Sequence, residues 1–233
     1  MVSLVSMAAH ASVTMVGTRV IYVASSKEQG LRFANPDTYP NLVQIWFDRG
    51  NPLARSEIED SPFVATPPMF RIEPDSAQVV RLSYVGEDLP TDRESLFFLN
   101  FLQVPALKAS AVNANQLVLT VRSRLKVFYR PTELAGSQDM SHIYQSLNLS
   151  EGGQAGAREL IARNDSGYFI VVERASLVRG DEESELATGV LIAPMGTISL
   201  PLAKGAAQLD QATVRMKIID DYGGEAVYDY PIH

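Results

Sequence analysis

Short runs of alternating apolar and polar residues follow one another along most of this chain. In 42–48, Val43, Ile45 and Phe47 take one parity and Gln44, Trp46 and Asp48 the other. That two-residue period puts one face of a strand in a core. The same β-branched and aromatic richness, bounded by Gly, Pro, Asn and Asp, predicts strands over 13–23, 31–35, 77–85, 95–104 and 116–131. The stretches 48–52 and 61–74 share five prolines and are predicted as turn-dense connectors, because proline removes a backbone donor and fixes φ. A polar, small-residue segment at 132–141 reads as a linker. A second strand series follows at 158–163, 167–177, 188–194, 196–202, 212–220 and 225–232. Long amphipathic helices and short repeats are both missing from the pattern. The expectation is an all-β chain of two tandem immunoglobulin-like β-sandwiches, 12–131 and 142–233, joined through 132–141.

Composition supports folded domains: 46% of the residues are hydrophobic and 20% charged, which excludes disorder as the main state. A formal charge of −7 argues against general affinity for nucleic acid, whose phosphates reward a positive footprint. The absence of cysteine excludes disulfides, thiol nucleophiles and thiolate metal sites. The start, MVSLVSMAAHA, is apolar and ends on Ala9-His10-Ala11, the small-x-small form that signal peptidase accepts. Residues 1–11 are read as the tail of a secretory leader without its basic start, against the plainer reading of a frayed apolar terminus. No later run approaches the ~20 apolar residues that span a bilayer, so the mature chain is expected to be soluble, with no direct membrane insertion.

Chemistry is hard to assemble from what remains. The histidines, His10, His142 and His233, are scattered, a poor supply for a triad or a metal site. No nucleophile elbow, zinc-protease, phosphate-loop or dinucleotide fingerprint occurs. The acidic run 181–185, DEESE, lacks the interleaved Asp/Asn and Gly of a calcium loop and reads as a solvated loop. An enzyme, a cofactor and a bound metal are all unexpected.

A binding device is left. In 116–131, QLVLTVRSRLKVFYRP, the residues Leu117, Leu119 and Val121 share a parity. They either fill their own sandwich or, at a sheet edge, are donated to another protein by β-augmentation. Periodicity serves both uses. The preceding 105–116 is small and polar, suited to a loop that orders on binding. Arg122, Arg124, Lys126 and Arg130 make a local basic cluster that the net charge conceals.

The segments TRVIY (18–22), PFVATPPMFRIEP (62–74), LPTDRESLFFLN (89–100), RLKVFYRP (124–131) and IIDDYGG (218–224) occur in this order. Together they resemble the periplasmic chaperones of the chaperone–usher pathway, the PapD-like family that assembles bacterial pili. The resemblance covers nearly the whole chain after the leader. It implies two immunoglobulin-like domains set at an angle with a subunit-binding cleft, and a location in the periplasm. Its members are not enzymes and need no cofactor. The implied partners are pilus or fimbrial subunits, completed by donor-strand complementation, and an outer-membrane usher that receives them. The modest length between Pro105 and the donor strand resembles the short-loop subgroup.

By motif, the resemblance implies that Arg19 and Lys126 anchor the bound subunit's C-terminal carboxylate, a job suited to two converging cations. It implies that Leu117, Leu119 and Val121 are the donor residues. Lys126 has the opposite parity to these three, so a bulge or strong twist intervenes, or the lysine works from the strand's other side. Glu94, Arg130 and Asp221 match the family's interdomain charged cluster, although DDYGG is also a good hairpin turn. The competing reading is a two-domain adhesin or carbohydrate-binding module. That calls for an exposed aromatic platform, and Trp46 is the only tryptophan. An exposed apolar edge also invites self-association of the free protein.

Overall fold

A computed structural model describes residues 13–53, 61–86, 88–106, 118–136, 140–154, 157–202, 209 and 212–233. The chain divides into two compact units: residues 1–22, 26–88 and 96–128 form the first, and 23–25, 89–95 and 129–233 the second.

The first unit holds β1 (Thr14–Met15), β2 (Arg19–Val23), β3 (Gln29–Asn35), β4 (Asn41–Asp48), β5 (Phe63–Thr66), β6 (Met69–Ile72), β7 (Ser76–Tyr84), β8 (Ser95–Pro105) and most of β9 (Val121–Arg130). They form two sheets, β1-β3-β7-β5 and β2-β9-β8-β4-β6. Alternation explains the sandwich. Phe33 on β3 meets Phe101 on β8, ring centroids 5.3 Å apart, and Phe63 on β5 meets Phe97 on β8 at 5.1 Å. Each pair joins one sheet to the other through edge-to-face rings, the arrangement that aromatic quadrupoles favour.

Under this core lies a buried polar knot. The Asn41 amide donates to Asn35 Oδ1 and Asp37 Oδ2, both at 3.0 Å, and Gln103 donates to Asn41 Oδ1 at 3.1 Å. The Gln103 carbonyl accepts the Val13 amide at 2.8 Å, which fastens the start of the described chain to β8. Buried polar groups arranged this way satisfy one another and fix register.

The second unit contains α1 (Met140–Gln145), β10 (Asn148–Gln154), β11 (Ala157–Asn164), β12 (Ile170–Arg179), β13 (Glu182–Ile192), β14 (Gly196–Pro201), β15 (Thr213–Ile219) and β16 (Glu225–Pro231). Its sheets run β10-β11-β14 and β13-β12-β15-β16, with antiparallel pairing throughout. Leu160, Ile170, Val172, Leu200, Val214 and Ile218 are the centre of its core. Two tandem β-sandwiches were expected and are present.

Four local expectations are corrected. The 13–23 stretch is two strands in different sheets. Gly17, at φ +96°, turns the chain between them, a conformation other residues adopt only with strain. The proline-dense 61–74 contains β5 and β6, because Pro67 and Pro68 sit between the strands and leave both ladders intact. The acidic 182–185 is strand: backbone pairing of β13 with β12 tolerates exposed glutamates on its outer face. In 116–131 the ladder begins at Val121; Val118–Thr120 precede it, and residues 116 and 117 lie outside the described residues.

Candidate functional site

The outward face of the five-stranded sheet is built by parity. On β4 the odd residues enter the core, so Trp46 and Asp48 look the other way. Register places Trp46 opposite Asn100 and Asp48 opposite Phe98 of β8. Next to β8 lies β9, whose even residues Arg122 and Arg124 reach across β8 to this pair of strands. Arg124 stacks 3.6 Å from the Phe98 ring centroid and donates to Asp48 Oδ1 at 2.6 Å. Arg122 donates through Nε and Nη2 to Asn100 Oδ1, at 3.2 and 2.7 Å, with its guanidinium 5.0 Å over Trp46. Asn100 in turn donates to Asp48 Oδ2 at 2.7 Å.

Asp48 and Asn100 are wholly buried. Burial pushes the Asp48 carboxyl upward, but hydrogen bonds from Arg124, Asn100 and the Gly50 amide outweigh it and hold the pKa below its ordinary value. The carboxylate therefore stays charged and compensates one arginine.

Lys126 follows two residues after Arg124 on the same strand. Burial lowers its pKa, and the positive charges of Arg19 and Arg124 lower it further. Arg19, the first residue of β2, and Lys126 thus come close enough to repel, on adjacent strands. Cations gathered against their own repulsion are a place where an anion is favoured.

The residues expected to be donors lie on the other parity. Val127 is fully buried, yet Val121 is 41% and Leu119 70% exposed. The side of the strand that reaches the core at its end is uncovered at its beginning. Leu117 lies outside the described residues. β9 is not a plain edge strand, since β2 and β8 flank it. However, β2 has five residues to ten in β9, and Ala24, just past β2, donates to the carbonyl of Arg130 at 2.8 Å. β2 therefore lies along the C-terminal half of β9, and the first half extends beyond it. Arg122 and Arg124 bind β4 and β8 groups from the even face, so by parity Lys126 falls on the side opposite Leu119 and Val121.

Glu94, Arg130 and Asp221 all belong to the second unit and meet there. Arg130 forks Asp221 at 2.7 and 3.0 Å, gives Nε to Glu94 at 2.8 Å and lies 5.0 Å over the Tyr168 ring. The other Glu94 oxygen accepts the Phe169 amide at 2.8 Å. Burial raises the Glu94 carboxyl above its ordinary value, and Arg130 and the Phe169 amide offset only part of that rise. Burial opposes the Arg130 charge, and its bonds to Asp221 and Glu94 overcome that and raise its pKa. The DDYGG turn divides its labour: Asp220 Oδ1 accepts the Tyr222 and Gly224 amides, leaving Asp221 to Arg130. The basic run is thus two sites: Arg122, Arg124 and Lys126 face one sheet in the first unit, and Arg130 serves the second.

Sequence reasoning missed Asp48 and Asn100. A signal was present in the shared parity of Trp46 and Asp48, but their partners lie 52 and 76 positions away. Among the described residues no cluster of His, Asp or Glu could hold a metal. No helix of the described chain is long and apolar enough to cross a membrane.

Residues 12–135 match the family described as pili and flagellar-assembly chaperone, PapD N-terminal domain, and 142–230 match pili assembly chaperone PapD, C-terminal domain. The chain is 33% identical over 229 residues to chaperone protein FimB/FhaD of Bordetella pertussis, covering 97% of this chain and 90% of that one. With chaperone protein MrkB of Klebsiella pneumoniae the identity is 34% over 225 residues, 94% of this chain and 91% of that one. In structure it resembles the CupB2 chaperone of Pseudomonas aeruginosa, with TM-score 0.77 and 30% identity over 94% of this chain and 100% of that chain. It also resembles a Salmonella enterica chain solved as SafA pilin in complex with the SafB chaperone, with TM-score 0.74 and 26% identity over 94% and 96%. Both sandwiches and nearly the full length agree: the chain belongs to the PapD family of pilus-assembly chaperones.

Proposed function

We propose that this chain works in the periplasm, where it binds a pilus or fimbrial subunit, completes the subunit's fold with a strand of its own and passes it to an outer-membrane usher. The observation that carries the proposal is the split use of β9. Leu119 and Val121 are apolar, aligned with a core parity and exposed, while Lys126 on the opposite parity gathers with Arg19. Leu117, Leu119 and Val121 enter the subunit's open groove, each fully buried side chain contributing about 1.5–3 kcal/mol before ordering costs. Arg19 and Lys126 hold the subunit's terminal carboxylate by charge-assisted hydrogen bonds. That carboxylate relieves the repulsion between them, so binding raises the Lys126 pKa. The family relation supports the partner class, as does the pilin complex of a structural neighbour.

An aromatic platform for sugar binding gains little here, because the Arg122 guanidinium covers the Trp46 ring. The test is native mass spectrometry of the protein drawn from the periplasm of its source during fimbrial expression. Wild type carries one subunit, and folded Lys126→Ala and Leu119→Asp arrive empty. A wild type that is always alone while subunits are being made overturns the reading.

A further inference from the structure

Arg122 has a feature that holding the fold together does not require. It is exposed, and its contacts among the described residues are Asn100 and the Trp46 ring, with no carboxylate. An arginine that only braced the sheet would be neutralised, as Arg124 is by Asp48. Exposed arginine side chains also ordinarily keep much rotamer freedom. Here a fully buried amide, itself fixed by a fully buried carboxylate, grips one edge of the guanidinium.

That grip leaves the other edge defined. Nε and Nη2 share Asn100 Oδ1, so the donors left uncommitted among the described residues are both hydrogens of Nη1 and the second of Nη2. Two parallel N–H groups on one planar edge match the two oxygens of a carboxylate. Arg122 also shares the even face of β9 with Lys126, four residues away, or ~13 Å at the usual rise of an extended strand.

We propose that Arg122 is a specificity-determining cation that reads an acidic side chain on the bound subunit, ~13 Å along β9 from the terminal carboxylate at Lys126. This rests on the subunit-binding role proposed above. In an extended partner that distance places the Asp or Glu about four residues before its C-terminus. The buried Asn100–Asp48 pair is the positioning element: it orients the fork before binding, so less ordering entropy is lost when the partner arrives. Subunits lacking an acid at that register bind less tightly.

The test uses the full chain and a synthetic peptide of a fimbrial subunit's last strand, with a free carboxylate and an acid at that register. Binding is followed by calorimetry at low and high salt. Arg122→Gln weakens binding about tenfold, the scale of one charge-assisted hydrogen-bonded pair, and flattens the salt dependence. Arg122→Lys recovers only part, since an ammonium lacks the fork. Changing the peptide's acid to its amide costs wild type the same factor and costs Arg122→Gln almost nothing. Unchanged affinity and salt dependence in Arg122→Gln, with Lys126→Ala still defective, overturns this inference alone. If Lys126→Ala also binds normally, the carboxylate-anchor reading fails with it. If Arg122→Lys binds as wild type, the fork has no part. An unfolding midpoint for Arg122→Gln equal to wild type separates the effect from a structural one.

Discussion

Two outward sheet faces in this molecule use charge in opposite ways. In the second unit, β12, β13, β15 and β16 carry a lattice of closed pairs. Arg215 bonds Glu183 and Asp229, Lys217 bonds Glu173 and Glu225, and Arg174 bonds Glu185. All are well exposed, and each cation has a carboxylate within 4 Å. In the first unit, the face of the five-stranded sheet buries Asp48 under Arg124. Lys126 there feels the like charges of Arg19 and Arg124, and Arg122 meets an amide and a ring. The closed lattice suits solvent. The open face is left with positive charge that a partner's anion would complete, at some cost to the free protein.

The largest expected effect concerns neither face but the buried Arg130 cluster, which sets the structural extreme. Arg130→Ala leaves Glu94 buried without its cation and is expected to lower stability by about 3–5 kcal/mol, read from urea unfolding. If stability is unmoved, the cluster is not a structural tie. Next comes Lys126→Met. Its folded pKa lies below the unfolded value, so the unfolded chain binds more protons between the two and stability rises with pH across that window. Below the window the charged lysine costs stability. Lys126→Met is therefore expected to keep or raise the unfolding midpoint at neutral pH and to flatten that alkaline rise.

Asp48 gives a third, smaller effect of opposite sign. Its folded pKa is depressed, so its contribution is present above the unfolded carboxylate range and disappears as pH falls through the folded value. Asp48→Asn should be less stable at neutral pH and show a shallower loss of stability below about pH 4. An acid limb equal to wild type would remove Asp48 as the compensating charge. Smallest is Lys217→Met in the lattice, expected to leave the unfolding midpoint within measurement scatter at moderate salt, because exposed pairs are screened. A clear loss there would mean the second face is structurally as demanding as the first.

The fold was legible wherever a strand alternates over six or more residues, as in β4 and β15. Elsewhere other forces conceal the pattern. β5 and β6 have four residues each and flank two prolines; β10 contains Gly152 and Gly153; and β13 begins on exposed glutamates held by backbone pairing. For the site, family resemblance singled out Arg19, Lys126 and the Glu94–Arg130–Asp221 cluster, and the three members of that cluster do meet. The opposite parity of Lys126 to Leu119 and Val121 was legible, while its consequence stayed open between a bulge and the strand's other side. The Arg124–Asp48 and Arg122–Asn100 contacts were not legible. They arise only when β8 brings strands distant in sequence side by side, and an arginine's length carries it across the intervening strand.

The most direct test of the claim that the first face is kept open for a partner is to measure Lys126→Met for two properties in one preparation: urea unfolding, and capture of a co-expressed fimbrial subunit. Capture should be lost while the unfolding midpoint stays at or above wild type. If stability and capture fall together in proportion, Lys126 supports the fold and the open face has no binding role.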